Sequence, residues 1–269
     1  MRILLVLIFL VTSAIYSLFV PGAFRISSNP TLPPDSGFIQ TPDTDSSTNT
    51  AVQMTAVPTV LPEEVIVKTA SPAPDSSPET LFGPAKSIDN FERGSSGFGL
   101  NAGLNDDSGI RIISLDNKLS LEPKKNNGWL SWRLRPPVLK DGAAEMEFAI
   151  STCARGDRTG IMMHSPDYNS GKAYYISLAC EGTLSIIQDS TILSSVSVQD
   201  IFKNNSGDVN TLSAVISGDT ITAFLNGEKA LTVHDDTYPE GFSGFFTAAQ
   251  GQDTLRLDIL SFSQYYPGE

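Results

Sequence analysis

From about residue 85 to the C-terminus, apolar and polar residues alternate in short runs separated by glycine, asparagine, aspartate or proline. In AAEMEFAIST, Met146, Phe148 and Ile150 fall on one face of a strand, whereas Glu145 and Glu147 fall on the other. About a dozen such runs recur at intervals of roughly 8–12 residues, which is typical of a two-sheet sandwich or a barrel. The pattern predicts an all-β domain, with a sandwich favoured over a barrel and a helical turn in VQDIFKN.

The run TITAFLNGEKALTV, residues 220–233, is interrupted in the middle by Asn226-Gly227. Both residues tolerate positive φ, which a type I′ turn requires, and the flanking residues alternate as hairpin strands do. The stretch therefore predicts a tight β-hairpin.

A predominantly apolar run of 18 residues lies at the N-terminus, from Ile3 to Val20. As a helix it would be about 27 Å long, close to the thickness of the hydrocarbon core of a bilayer. Residues 1–25 are therefore predicted to be a signal anchor inserted in the membrane or a cleaved signal peptide. An anchor is favoured because cleavage after Thr12-Ser13-Ala14 would leave an apolar stub. The expected location is the cell membrane, with the C-terminal domain extracytoplasmic, or secretion if the signal is cleaved.

Residues 26–80 have a different composition, since 26 of these 55 positions are Pro, Ser or Thr and Lys68 is the sole base against seven acids. Such a segment cannot bury enough apolar surface to offset its ordering entropy. It predicts a disordered, extended linker. Residues 81–269 are then the folded domain, which is long enough for one core.

The formal net charge of −12 argues against a sequence-independent grip on nucleic acid phosphates. Two histidines and two cysteines do not supply a zinc cluster of the usual spacing. The sequence also contains no glycine-rich phosphate loop and no G-x-S-x-G motif. We therefore expect no nucleic acid partner and no cofactor.

The order of motifs over residues 85–265 resembles a known fold family. The chain reads SIDNFERGSSGF, then TGIMMHSP, KAYYISLACEGTLSII, SGDTITAFLNGEKALTV, GFSGFF and LRLDILSF. This order resembles the concanavalin A-like (laminin G-like) jelly roll, especially the bacterial 3-keto-disaccharide hydrolase-like, family 16 glycoside hydrolase-like domains. The resemblance implies a two-sheet jelly-roll sandwich that binds or cleaves carbohydrate.

Glycoside hydrolases of this fold commonly use the pattern Glu-x-Asp-x-x-Glu, because two carboxylates about 5 Å apart must flank the scissile bond. Glu145 and Glu147 are the best match and share one face of a strand. The next positions on that face are Ala149 and Ser151, so the third acid is missing. The pair is either solvent-facing or a candidate for binding sugar hydroxyls.

The resemblance also implies a basic side chain at the end of the strand that contains Gly160-Ile161. His164 occupies that place, or Met163 if the register shifts by one. A histidine is a weaker and pH-sensitive substitute for an arginine fork, which counts against hydrolase activity. His164 and Arg158 are candidate ligand-binding residues, with a loop-edge structural histidine as the alternative for His164.

Sugar recognition requires flat aromatic faces together with polar groups for the hydroxyls. Trp129 and Trp132 have opposite parity, as do Tyr174 and Tyr175, so only one residue of each pair can face a ligand. We predict Trp132 and Tyr174 on the ligand side.

The family order makes Cys153 and Cys180 near neighbours, and an even cysteine count in an exported chain favours a disulfide between them. The alternative is two buried thiols. Calcium binding by Asp219, Asp235 and Asp236 is a weaker expectation, because acids in turn regions usually form turns.

Three functions compete at this point. The first is a membrane-tethered, surface-displayed module that binds a glycan or other polysaccharide. The second is a sugar hydrolase of the kind that the resemblance suggests. The third is a non-catalytic ectodomain that has a structural role or binds protein. The missing third carboxylate ranks the binding module above the enzyme, and the oligomeric state is left open.

Overall fold

The protein is described from a computed structural model, which covers residues 77–95, 97–251 and 254–268. One short helix, α1, spans Pro78–Phe82. Seventeen strands come after it: β1 (Ser87–Asp89), β2 (Gly94–Ser95), β3 (Leu100–Asn101), β4 (Gly103–Asp106), β5 (Ile110–Leu115), β6 (Lys118–Pro123), β7 (Trp129–Leu139), β8 (Gly142–Thr152), β9 (Arg158–Ser165), β10 (Tyr174–Ala179), β11 (Thr183–Gln188), β12 (Thr191–Ser197), β13 (Val209–Ser217), β14 (Thr220–Leu225), β15 (Glu228–His234), β16 (Gly241–Ala249) and β17 (Arg256–Tyr265).

The strands form two large antiparallel sheets. The nine-stranded sheet has the order β15-β14-β13-β8-β17-β6-β5-β4, with β1 also paired to β17. The six-stranded sheet has the order β12-β11-β10-β9-β16-β7, and β2 and β3 form a separate small ribbon. The all-β prediction and the preference for a sandwich are both confirmed.

The main core fills the space between the two sheets, where the alternation seen in the sequence directs every second side chain. On β8 these inward residues are Met146, Phe148 and Ile150, all buried. They contact a cluster that includes Ile161 and Phe245 from the six-stranded sheet. The outer face of each sheet is defined as the face turned away from this core.

The predicted hairpin is present as β14 and β15. Asn226 and Gly227 have φ of 52° and 82°, as a type I′ turn requires, and Leu225 pairs with Glu228. The Asn226 side chain also ties the turn to its surroundings. Its Oδ1 accepts from the Thr211 N–H at 2.9 Å, and its Nδ2 donates to the Ile201 carbonyl at 2.7 Å.

The helical turn predicted in VQDIFKN is also present, since the Phe202 N–H donates to the Val198 carbonyl at 2.8 Å. The start of the folded part differs from the prediction. Helix α1 begins at Pro78, within the segment assigned to the linker, and Ser77 caps it by accepting from the Thr80 N–H.

The predicted membrane segment, residues 1–25, and most of the predicted linker lie outside the described residues. Within the described ranges, no helix has the length and apolar character needed to cross a membrane.

Candidate functional site

The residues predicted to form a ligand site fall into three separate places. Glu145 and Glu147 lie on the outer face of the nine-stranded sheet. Trp132 and Arg158 belong to the six-stranded sheet, on its outer face. His164 and Tyr174 meet at one end of the sandwich, with ring centroids 6.3 Å apart.

The two glutamates share a face of β8, as predicted, and hydroxyl groups hold both carboxylates. Ser213 Oγ donates to Glu145 Oε2 at 2.8 Å, and the Tyr265 hydroxyl donates to Glu145 Oε1 at 3.2 Å. Ser261 Oγ donates to Glu147 Oε2 at 3.1 Å. Burial and the nearby charge of Glu145 raise the pKa of Tyr265 to about 12.

Glu145, unlike Glu147, also lines a cleft of about 330 Å³, called here the Glu145 cleft. Its other walls come from the start of α1, the segment before β13, β13 itself, β14 and the turn of the β14–β15 hairpin. The full set is Ser77, Pro78, Glu145, Lys203, Thr211, Ser213, Phe224, Asn226 and Gly227. The cleft thus gathers a carboxylate, an amide, an ammonium group and hydroxyls around an apolar floor. Such convergent polar groups are typical of small-ligand sites.

The local sequence explains why α1 forms a wall of this cleft. Ala143, Val215, Phe224 and Tyr265 make a small apolar cluster on an otherwise polar outer face. Phe82 from α1 and Ala85, just after it, pack against this cluster. Burying that patch brings Ser77 and Pro78 to the rim of the cleft.

The outer face of the six-stranded sheet carries a larger apolar cluster. Its buried side chains are Leu130, Trp132, Leu134, Met162, Ala173, Tyr175, Ile187, Phe246 and Ala248. Trp132 is only 7% exposed, and its Nε1 donates to the Tyr168 carbonyl at 3.2 Å. Arg158, four residues before Met162 on β9, shares this face by alternation and is 5% exposed.

Tyr174 does not accompany Trp132, contrary to the prediction. Tyr175 lies on the outer face with Trp132, whereas Tyr174 points into the main core and is fully buried. Alternation predicted correctly that the two tyrosines point to opposite faces of β10. Both faces are buried, however, so the pattern did not show which tyrosine points into the main core.

Tyr174 instead belongs to a partly buried hydrogen-bond network. Its hydroxyl donates to Asp235 Oδ1 at 2.5 Å, and the Tyr238 hydroxyl donates to Asp189 at 2.7 Å. His164 Nδ1 lies 2.7 Å from the Tyr238 carbonyl oxygen. Burial, followed by the bond to Asp235, raises the pKa of Tyr174 to about 12. Burial lowers the pKa of His164, which is 1% exposed, and favours the neutral imidazole.

The predicted disulfide joins Cys153, after β8, to Cys180, after β10, with their Cα atoms 5.6 Å apart. It therefore links the two sheets at one end of the sandwich. In the described part of the chain, no group of three or more His, Cys, Asp or Glu residues is placed to hold a metal ion. Asp235, proposed from sequence as a calcium ligand, accepts from Tyr174 and from the Thr237 N–H.

No protein-family model and no curated protein matches the chain. Solved structures match in fold. One is a Bacillus subtilis protein of unknown function with a galectin-like fold, with a TM-score of 0.52, 12% identity and coverage of 68% of this chain and 96% of that one. A second is the carbohydrate-binding module CBM66 of Bacillus subtilis, with a TM-score of 0.44, 12% identity and coverage of 61% of this chain and 92% of that one. A third is a Lotus tetragonolobus seed lectin, with a TM-score of 0.42, 14% identity and coverage of 60% of this chain and 94% of that one.

The chain folds as a concanavalin A-like β-sandwich. At 12–14% sequence identity, the similarity to these solved structures establishes the fold but not the function. A closer relation to the 3-keto-disaccharide hydrolase-like domains stays a prediction.

Within this concanavalin A-like sandwich, sequence reasoning identified Glu145 but missed most of its neighbours in the cleft. Lys203 and Ser213 carry no motif, and Asn226 was recognised only as a turn residue. Pairing of β13 between β8 and β14 brings them together, although Ser213 is 68 residues from Glu145 in the chain.

Proposed function

We propose that this protein is a carbohydrate-binding module and that the Glu145 cleft is its sugar site. The proposal includes display at the cell surface, with residues 1–25 inserted in the membrane and the segment after them acting as a spacer. The observation that carries it is the Glu145 carboxylate, which two hydroxyls orient at the wall of an open cleft.

The chemistry of the cleft suits a sugar. A carboxylate has about four lone-pair positions, and Ser213 and Tyr265 occupy two of them on Glu145, which leaves capacity to accept from sugar hydroxyls. Thr211 and Lys203 add a hydroxyl and a donor at the same wall. A volume of about 330 Å³ lies at the lower end of the range for small-molecule sites, which favours a short segment of a glycan.

The test is a glycan array probed with the full chain, followed by calorimetric titration of the strongest hit. Glu145→Gln should weaken binding by roughly 10- to 100-fold, because a hydrogen bond to a charged group contributes about 1.5–3 kcal/mol. Glu147→Gln is the matched control, since Glu147 lies on the same face of β8 but outside the cleft, and it should stay within about twofold of wild type. An array without hits, or equal losses in both variants, would contradict the proposal.

The hydrolase remains a second candidate because Glu145 and Glu147 share one strand face. It requires both carboxylates to act on one bond. Incubation of the wild-type chain with 3-keto-disaccharides, followed by product analysis, tests it directly. Turnover abolished by either glutamine variant would favour the enzyme over the binding module.

A further inference from the structure

His164 occupies an unusual place at the end of β9. Its side chain is only 1% exposed, and buried polar atoms usually have a hydrogen-bond partner. Its backbone adopts a φ of 54°, a conformation that few non-glycine residues take. Its Nε2 is buried and has no hydrogen-bond partner among the described residues.

The loop between β15 and β16, residues 235–240, closes over this histidine. Gly241 lies directly against it, since a Cβ at Gly241 would come within 2.3 Å of the His164 carbonyl carbon. Two tyrosine–aspartate contacts hold the loop down: the Tyr174 hydroxyl bonds Asp235, and the Tyr238 hydroxyl bonds Asp189.

The same geometry fixes the tautomer of His164. A carbonyl oxygen only accepts, so Nδ1 carries the hydrogen that bonds the Tyr238 carbonyl, and Nε2 carries a bare lone pair. A proton added to Nε2 would create a buried cation with an N–H that lacks an acceptor. Both consequences are costly in an interior of low dielectric.

The surroundings of His164 offer incomplete compensation. Tyr174 on β10 faces the ring from the core side, and Tyr238 contacts it from the loop. Asp141, before β8, and Glu240, in the loop, attract a positive charge on the ring, but the effect of burial exceeds theirs.

We propose that His164 is an acid-sensitive latch, whose protonation on Nε2 releases the 235–240 loop. The released state exposes the imidazolium to water and breaks the Nδ1 bond to Tyr238. Opening therefore takes up one proton. This property belongs to the sandwich itself and does not depend on the proposed sugar site.

Hydrogen exchange of the full chain between pH 7 and pH 5.5, followed by mass spectrometry, tests the latch. After correction for intrinsic exchange with an unstructured peptide of the same sequence, the opening constant of the 235–240 amides should rise. The expected rise is up to about tenfold for each pH unit below about 6.5, because one extra proton binds to the open form. Amides of β13 serve as the internal reference and should not change.

His164→Asn is the informative variant, because its side-chain N–H can replace the Nδ1 donor, it does not titrate, and asparagine tolerates positive φ. Its exchange profile should be flat with pH. His234→Asn is the matched control, since the His234 side chain is 69% exposed and should leave the wild-type profile intact. An acid-dependent rise that persists in His164→Asn, or a flat wild-type profile, would overturn the proposal.

If His164→Asn fails to fold at pH 7, an imidazole NMR titration of the wild-type chain decides the question. The His164 ring should stay neutral to a lower pH than an exposed histidine, and its protonation should be accompanied by loss of protection of the 235–240 amides. A ring that titrates while the loop amides keep their protection would also overturn the latch.

Discussion

Removing the disulfide between Cys153 and Cys180 should cost a large share of the stability of the sandwich. The cysteines are 27 positions apart, so the bond closes a loop of 28 residues (27 + 1). On the chain-entropy model, a loop of that size contributes about 3.6 kcal/mol to the free energy of unfolding at 25 °C. For a domain of this size each kcal/mol shifts Tm by about 2–4 °C, which gives a loss of roughly 7–14 °C.

Calorimetric melting with and without a thiol reductant measures this effect. The double variant Cys153→Ala/Cys180→Ala should melt at the lower temperature in both conditions, which controls for other actions of the reductant. Both cysteines are half-buried and contact the main core, so the side-chain change adds a small packing loss of its own. A Tm that falls by less than about 2 °C on reduction would refute the loop-closure reasoning.

Three further outcomes are expected. Asn226→Ala should lower the free energy of unfolding by roughly 2–4 kcal/mol in urea, because alanine cannot make the side-chain hydrogen bonds and is strained at a φ of 52°. Asn226→Gly loses the same bonds but tolerates this φ, so it should lose less stability. Equal losses would contradict a contribution from backbone strain. Gly160→Ala places a Cβ 1.9 Å from the Ile176 carbonyl oxygen and should cost about 1–3 kcal/mol or prevent folding, and an unchanged urea midpoint would count against this close approach. The pKa of Tyr174 is raised from the unfolded value of 10 to about 12, so the stability that its protonated form contributes is present below pH 10 and lost as pH rises from 10 through 12. In alkaline unfolding, Tyr174→Phe should reduce the slope of stability against pH in this interval, to which Tyr265 also contributes, and an unchanged slope would refute the assignment.

The architecture and several local features could be predicted because they depend on short-range patterns. Alternation of period two placed Met146 and Phe148 inside and Glu145 outside. The positive φ of Asn226 followed from turn chemistry alone. In each case the residues that decide the structure lie within a few positions of one another.

The rest of the candidate site could not be predicted, because it depends on contacts between distant segments. Tyr238 lies 74 residues from His164, and no pattern signals that its carbonyl covers the ring. Tyr174 rather than Tyr175 points into the main core because of the position of β10 in the six-stranded sheet, whose outer face carries a second apolar cluster that buries Tyr175. Alternation specifies that two faces differ, but it does not specify what each face contacts.

Pro136 and Pro137, both exposed on β7, have a consequence for how molecules of this protein meet. β7 is the last strand of the six-stranded sheet, so its outer backbone would otherwise offer a row of donors and acceptors to a strand from another chain. Proline has no N–H, and two in succession interrupt that row in the second half of the strand. Sheet extension by another chain is therefore disfavoured along the second half of β7, where the pairing with β16 is itself interrupted between Arg135 and Leu139.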